Sequence, residues 1–465
     1  MILGMTGAAH WHFTRRVFLA GLAAQALPAV AQDAYVGQML VAEKTTSPLL
    51  GEGAPATSHW RFKSSGPQPI LRAKQGQEVR FRVVNTLDET LWLHFFGVRG
   101  PSDMMTVQVQ PGESNAIEVV FTPPDAGTFW FGPLLQASKH RDMGLYGMLI
   151  VDEAESDLQL VDVPLIIDDW KLDDAGVIET GFGNLEAAIG EGRLGNWFTV
   201  NGQLKPRITL PQGKTARLRL LNAANTRTIN LLFKGADVSV IALDGQPVKI
   251  IALGIEALKL APGQRADVVL SNGQEQVVIA LDLFEDVVEL AFLMQQGTPA
   301  ALAADFQLKA NPLPAVDAAA VPRTIPIVIE GGIKGGLKSA RVGSETLELR
   351  ELLEKGLAYS LNGSSGPGGL PLFAATKGEV LLLAFDNRAS LAQVLHVHGH
   401  VWHLVEQDNQ VVDGQSWRDT AVIPGLTQAK YLFVADNPGA WAIQSLIAER
   451  SDAGMLGAFT VADMP

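Results

Sequence analysis

Four histidines fall close together at His396, His398, His400 and His403, and a fifth, His94, stands alone far upstream. Neutral imidazoles that converge around an open position can bind Cu²⁺ or Zn²⁺. His396 and His398 are two apart, so a strand would present both on one face. The chain has no cysteine. No thiolate is available for a soft metal, and no disulfide can form. Two or three imidazoles without thiolate or carboxylate hold metal with modest selectivity. The preferred expectation is therefore a satisfied, hydrogen-bonded set of histidines and no cofactor. The alternative is a single copper ion on His94, His396 and His398. His59 and His140 lack a partner pattern and read as surface residues. Asp168 and Asp169, in IIDDW, read as the start of a loop rather than an acid/base couple. Met104 and Met105 read as packing residues. There is no Gly-x-Ser-x-Gly elbow, phosphate loop or zinc-protease motif.

Positioning these residues requires a scaffold, and a weak internal repeat supplies one. QGQEVRFRVVNTLDETLWLHF from Gln75, QGKTARLRLLNAANTRTINLLF from Gln212 and KGEVLLLAFDNRASLAQVLHVHGH from Lys377 share one frame. In each, a glycine (Gly76, Gly213, Gly378) precedes an asparagine (Asn85, Asn222, Asn387) by nine residues. The alternating stretch between them reads as a half-buried strand. The glycine suits a turn of positive φ, and the asparagine a strand-ending turn. His94 and His396 lie nine residues past their asparagines, where the middle copy has Leu231.

A second frame closes the outer copies. AGTFWFGPLLQ matches PGAWAIQSLIA, and GLYGMLIV matches GMLGAFTV. The middle copy is expected to end differently, with LAPGQRADVVL. Short strands between Gly/Pro turns must bury one face against a second sheet. The expected fold is all-β: three consecutive Greek-key β-sandwich domains, each an antiparallel two-sheet unit. Their expected bounds are residues 32–155, 156–305 and 306–465. The Ala/Pro stretch 299–320 reads as an extended linker, and residues 347–356 are the best helix candidate.

Composition agrees with a folded globular chain: 47% hydrophobic and 18% charged residues over 465 positions. That length suits about three domains. The net charge of -13 makes nucleic acid an unsuitable partner. TRRVFLA at Thr14–Ala20, the following apolar run and Ala29-Val30-Ala31 read as a twin-arginine signal peptide over residues 1–31. The mature protein is then periplasmic, with no membrane span after leader removal.

The motifs together resemble the multicopper oxidase family, three cupredoxin domains in one chain. LWLHFFGVRG resembles its His-x-His-Gly motif, and GTFWFGPLLQ its Gly-Thr-Tyr-Trp-Tyr-His-x-His motif. QVLHVHGH resembles its His-Pro-x-His-x-His-Gly motif. WAIQSLIAERSDAGM resembles the motif that carries Trp, His-Cys-His, a further His and an axial Met. The resemblance implies that His94, His396 and His398 keep ligand positions. Phe96, Gly132, Leu134, Gln393, Gln444, Leu446 and Arg450 stand where the family has histidine. Ser445 stands for the cysteine, and Met455 keeps the axial place. It further implies that the blue type 1 copper is lost, because a trigonal site needs a thiolate and two imidazoles. Phe96, Leu134 and Leu446 are expected to put apolar carbon where the trinuclear cluster would sit. The chain is thereby similar to the family's copper-free division members. It is expected to be a non-catalytic scaffold or protective protein whose partners are periplasmic or division-site proteins.

Overall fold

The computed structural model describes residues 36–463, apart from 65–68, 156–159, 211, 299–301, 304–305, 317–321, 413 and 415. The signal-peptide expectation falls on residues 1–31, outside the described residues. Regular structure in the described chain is mostly strand, arranged as three successive pairs of sheets with one additional two-stranded sheet in the third unit. Each pair is built around a repeat strand: Val79–Asn85, Thr215–Asn222 and Val380–Asn387. All three repeat glycines have positive φ, at 73°, 65° and 87°.

The repeat asparagine does more than end a strand. Asn85, Asn222 and Asn387 are buried. Each side-chain oxygen accepts the N–H two residues on, at 3.0–3.1 Å. Each amide nitrogen donates to a carbonyl four or five residues on and to a carbonyl of the facing sheet. One side chain thus fixes both the turn and the spacing of the two sheets, and buried backbone carbonyls find their partners.

Three expectations need correction. The units are not purely antiparallel. The strands Val36–Ser47, Leu160–Trp170 and Arg323–Gly331 run parallel to the three repeat strands. A further parallel pair edges the second sheet of each unit. Period-2 alternation carries no information about strand direction, so the sequence could not show this. The middle unit also closes like the others. LAPGQRADVVL leads into the strand Arg265–Ser271, beside the repeat strand, and Gln276–Asp282 and Val287–Met294 then supply the closing antiparallel pair. Finally, ARLRLL is not half-buried. Every residue of Thr215–Asn222 is buried, whereas Val79–Asn85 alternates. Its polar face packs on the first unit, where Arg217 meets Glu153 and Arg219 lies 2.9 Å from Thr128 Oγ1, while Asp267 of the adjoining strand pairs with Arg217 from within the same sheet.

The predicted helix forms at Leu349–Glu354. The linker stretch is not free: buried Asn311 brackets the Ala126 backbone, accepting its N–H and donating to its carbonyl, each at 2.9 Å. One apolar cluster joins the first and third units, and a second fills the middle unit. A third contains Phe96, Trp130, Trp170, Leu221, Val394 and Leu446, drawn from all three units. Full burial of such large side chains contributes about 2–3 kcal/mol each. Among the described residues no helix is long and apolar enough to cross a membrane.

Candidate functional site

The strand Leu91–Phe96 carries His94, and Gln393–Val397 carries His396, with His398 just past its end. The fold brings all three histidines together although they come from opposite ends of the chain. The His94 and His398 rings stack at 3.9 Å between centroids, and His396 lies 6.3 Å from His94 and 5.5 Å from His398. All three are buried.

Each ring is held from one side. His94 Nδ1 is 2.7 Å from Thr106 Oγ1. His396 Nδ1 faces Asp419 Oδ1 at 3.3 Å and Thr420 Oγ1 at 3.2 Å. His398 Nε2 pairs with Gln444 Oε1 at 3.1 Å. The expectation of a fully satisfied set fails at two atoms: Nε2 of His94 and Nε2 of His396 are buried without a partner. Burial, with the neighbouring imidazoles adding to it, holds His94 and His398 well below the ordinary histidine range. Both rings are therefore neutral at pH 7, with lone pairs available.

The places where the family has further ligands are filled differently. Phe96 stacks on Trp130 at 3.9 Å and 7°. Gly132 leaves room for that indole, since a Cβ there would meet Trp130 Cζ3 at 2.8 Å. Leu446 joins the same apolar cluster. Leu134 does not. It is only half-buried, and it offers its carbonyl to Gln444 Nε2 at 2.9 Å. Gln444 also donates to Ser451 Oγ at 2.8 Å. Among the described residues no group of three or more His, Cys, Asp or Glu is placed to hold a metal ion.

Gln393, Ser445, Arg450 and Met455 also converge. Arg450, on the short helix Ala448–Asp452, donates to Gln393 Oε1 at 2.8 Å, to Ala392 O at 2.6 Å and to Gly190 O at 3.0 Å. Ser445 Oγ lies 3.2 Å from the Ile447 N–H and 3.3 Å from its carbonyl. Met455 is fully buried and accepts the Ser445 N–H on its carbonyl at 2.9 Å. A guanidinium already bonded to the neighbouring amide leaves no anionic, soft-donor cavity. These residues do not fit a type 1 copper.

Several neighbours went unread in the sequence. Arg265 and Asp419, both fully buried, form an ion pair across the second and third units. Burial alone would raise the Asp419 carboxyl, but Arg265 and then His396 hold it far below the usual range. Asp419 thereby orients His396, as outer carboxylates orient imidazoles. His400 is buried behind the site, and burial pushes it down to about 3. His403 stacks on Trp417 at 4.7 Å, away from the site.

Other placements correct the sequence reading. His140 is 1% exposed and lies 3.1 Å from Glu89, and His59 is half-buried against Ser47 Oγ at 2.6 Å. His140 is not a surface residue and His59 is only partly one, because Trp60 packs on the His140 ring and Trp170 on the His59 ring. Asp168 and Asp169 do not begin a loop. They end the strand Leu160–Trp170 and are buried, with Asp169 bound to Arg227 at 2.7 Å. Met105 is buried and Met104 partly so, as packing residues should be.

Comparison with known proteins agrees with this architecture. Three family models, each described as multicopper oxidase, match residues 42–156, 162–286 and 345–465. The multicopper oxidase MmcO of Mycobacterium tuberculosis is 24% identical over 460 residues, 91% of this chain and 87% of that one. The cell division protein FtsP of Proteus mirabilis is 30% identical over 243 residues, 49% of this chain and 50% of that one. Among solved structures, a multi-copper oxidase from Pseudomonas thermotolerans superimposes with a TM-score of 0.76 at 28% identity, covering 91% of this chain and 98% of that one.

Proposed function

We propose that this chain, which belongs to the multicopper oxidase family, is an exported, non-catalytic protein of the periplasm that acts as a scaffold or protective protein in cell division or envelope maintenance. The observation that carries the reading is the Arg450–Gln393 hydrogen bond at 2.8 Å, beside the Ser445 hydroxyl. Where the family admits electrons through a thiolate-bound copper, this chain holds a cation, an amide and an alcohol. The Phe96–Trp130 stack adds to it by placing carbon beside the histidines. The likeness to division proteins, confined to about half of each chain, supports the choice of process. The Arg15-Arg16 pair, the apolar run after it and Ala29-Val30-Ala31, read as a twin-arginine leader, support the periplasm.

A second reading has one observation in its favour. Two buried, unpartnered imidazole nitrogens, on His94 and His396, are suited to a single Cu²⁺ ion that would also take His398 on a rotated ring. Two measurements separate the readings. The first reading expects a tagged full-length chain to gather at the division site, purified protein to leave phenols unoxidised, and the His94→Ala/His396→Ala variant to localise normally. Copper-dependent phenol oxidation that this variant abolishes would reject the first reading and support the second.

A further inference from the structure

The chain is acidic, with a net charge of -13, yet one surface loop gathers free cations. Residues 331–339 read GGIKGGLKS and follow the strand Arg323–Gly331. φ is positive at Gly331 (125°) and Gly332 (67°), and then alternates, positive at Lys334 (62°) and Gly336 (74°) but not at Ile333 or Gly335. Alternation of this kind turns successive backbone N–H groups to one side and makes an anion-binding concavity. The loop is tightly closed. A Cβ on Gly335 would meet Gly331 O at 1.8 Å, and Ser390 Oγ pins the Ile333 carbonyl at 2.8 Å. A lysine with φ of 62° is held there against an intrinsic cost of about 1–2 kcal/mol.

The loop borders a cavity of about 550 Å³ whose polar lining is Glu330, Lys334, Lys338, Ser339 and Arg388. Arg388 is held by Glu330 at 2.8 Å and Asp386 at 2.9 Å. The Lys334 and Lys338 ammonium groups have no ion-pair partner among the described residues, and the Ser339 hydroxyl accepts and donates no hydrogen bond among them. The Gly331 and Gly332 N–H groups are taken by Gly335 O and Ala358 O, whereas those of residues 333–337 donate to no backbone carbonyl among the described residues. Two ammonium groups, a hydroxyl and these free amides complement a tetrahedral dianion better than a planar carboxylate.

We propose that the Gly331–Ser339 loop and its cavity bind a phosphate group, either free or carried on a lipid headgroup. The site lies outside the histidine cluster and does not depend on the function proposed above. The test titrates full-length protein with inorganic phosphate by calorimetry and, in parallel, sediments it with phosphatidylglycerol or phosphatidylcholine vesicles. Lys334→Gly keeps the left-handed backbone and removes one charge; Lys338→Gln removes the other. Saturable phosphate binding that weakens at least tenfold in the double variant supports the site with free phosphate as the source. Pelleting with phosphatidylglycerol alone, lost in the double variant, supports it with a lipid source. No binding in either arm, or binding that the double variant retains in full, overturns the proposal. Lys338→Gln alone, whose backbone is unstrained, should weaken binding about threefold or more and guards against misfolding of the double variant.

Discussion

Glu449→Gln should stabilise the protein at alkaline pH and leave it unchanged near pH 4. Glu449 is 1% exposed, and one of its carboxylate oxygens has no partner. Burial, opposed by backbone N–H donors and reinforced by Asp142, pushes its carboxyl up to about 7 from an ordinary 4.5. An acid whose folded value is raised is bound more tightly to its proton in the fold. Its favourable contribution is complete below about pH 4.5 and is lost as pH rises through 7. The gap, at about 1.4 kcal/mol per pH unit, corresponds to a destabilisation of about 3 kcal/mol by pH 8. Glutamine has the same shape and no charge, so the variant should recover most of that. For a folded body of this length the gain is roughly 3 °C in Tm. The assay is thermal and urea unfolding of both proteins from pH 4 to 8. A difference that does not grow with pH, or that favours the native protein at pH 8, would refute the reasoning.

Other expectations follow from the same accounting of buried charge and space. Asp419→Asn leaves the Arg265 guanidinium without its main counter-charge and should lower stability by about 3–5 kcal/mol in urea unfolding, whereas Asp419→Leu combined with Arg265→Met should lower it by less than the sum of the two single changes. His94, His398 and His400 are held neutral by burial, so their contribution is present above about pH 6.5 and is lost as pH falls; His400→Asn should flatten the acid limb of the stability profile by up to about 1.4 kcal/mol per pH unit between pH 6.5 and 3. Gly132→His should destabilise, because its Cβ alone would press on the Trp130 ring at 2.8 Å, and loss of the Trp130 near-ultraviolet circular dichroism signal would report the displaced stack.

Much of the fold was legible because the glycine and asparagine of each repeat serve the backbone locally: a positive φ at one end, three or four side-chain hydrogen bonds at the other. The histidine pairing was legible for the same reason, since His94 and His396 keep a constant distance from those asparagines. What escaped detection depends on neighbours remote in sequence. The parallel strand pairs leave no trace in alternation. The half-buried reading of the middle repeat strand failed at Arg217 and Arg219, which are buried. The Arg265–Asp419 pair joins residues 154 apart. The unpartnered Nε2 atoms could not be foreseen, because they depend on ring orientations that Thr106 and Asp419 set. The substituted ligand positions were visible as residue types, but the Arg450–Gln393 bond and the turning aside of Leu134 depend on the tertiary fold.

Copper stoichiometry measured on protein folded in copper-supplemented medium, with dioxygen uptake recorded on the same sample, tests most directly whether the electron-entry and oxygen-reducing sites are gone. The account predicts colourless protein with at most one copper per chain, bound through His94 and His396, and no uptake of dioxygen. Blue protein holding several coppers per chain and consuming dioxygen in the presence of a phenol would contradict it.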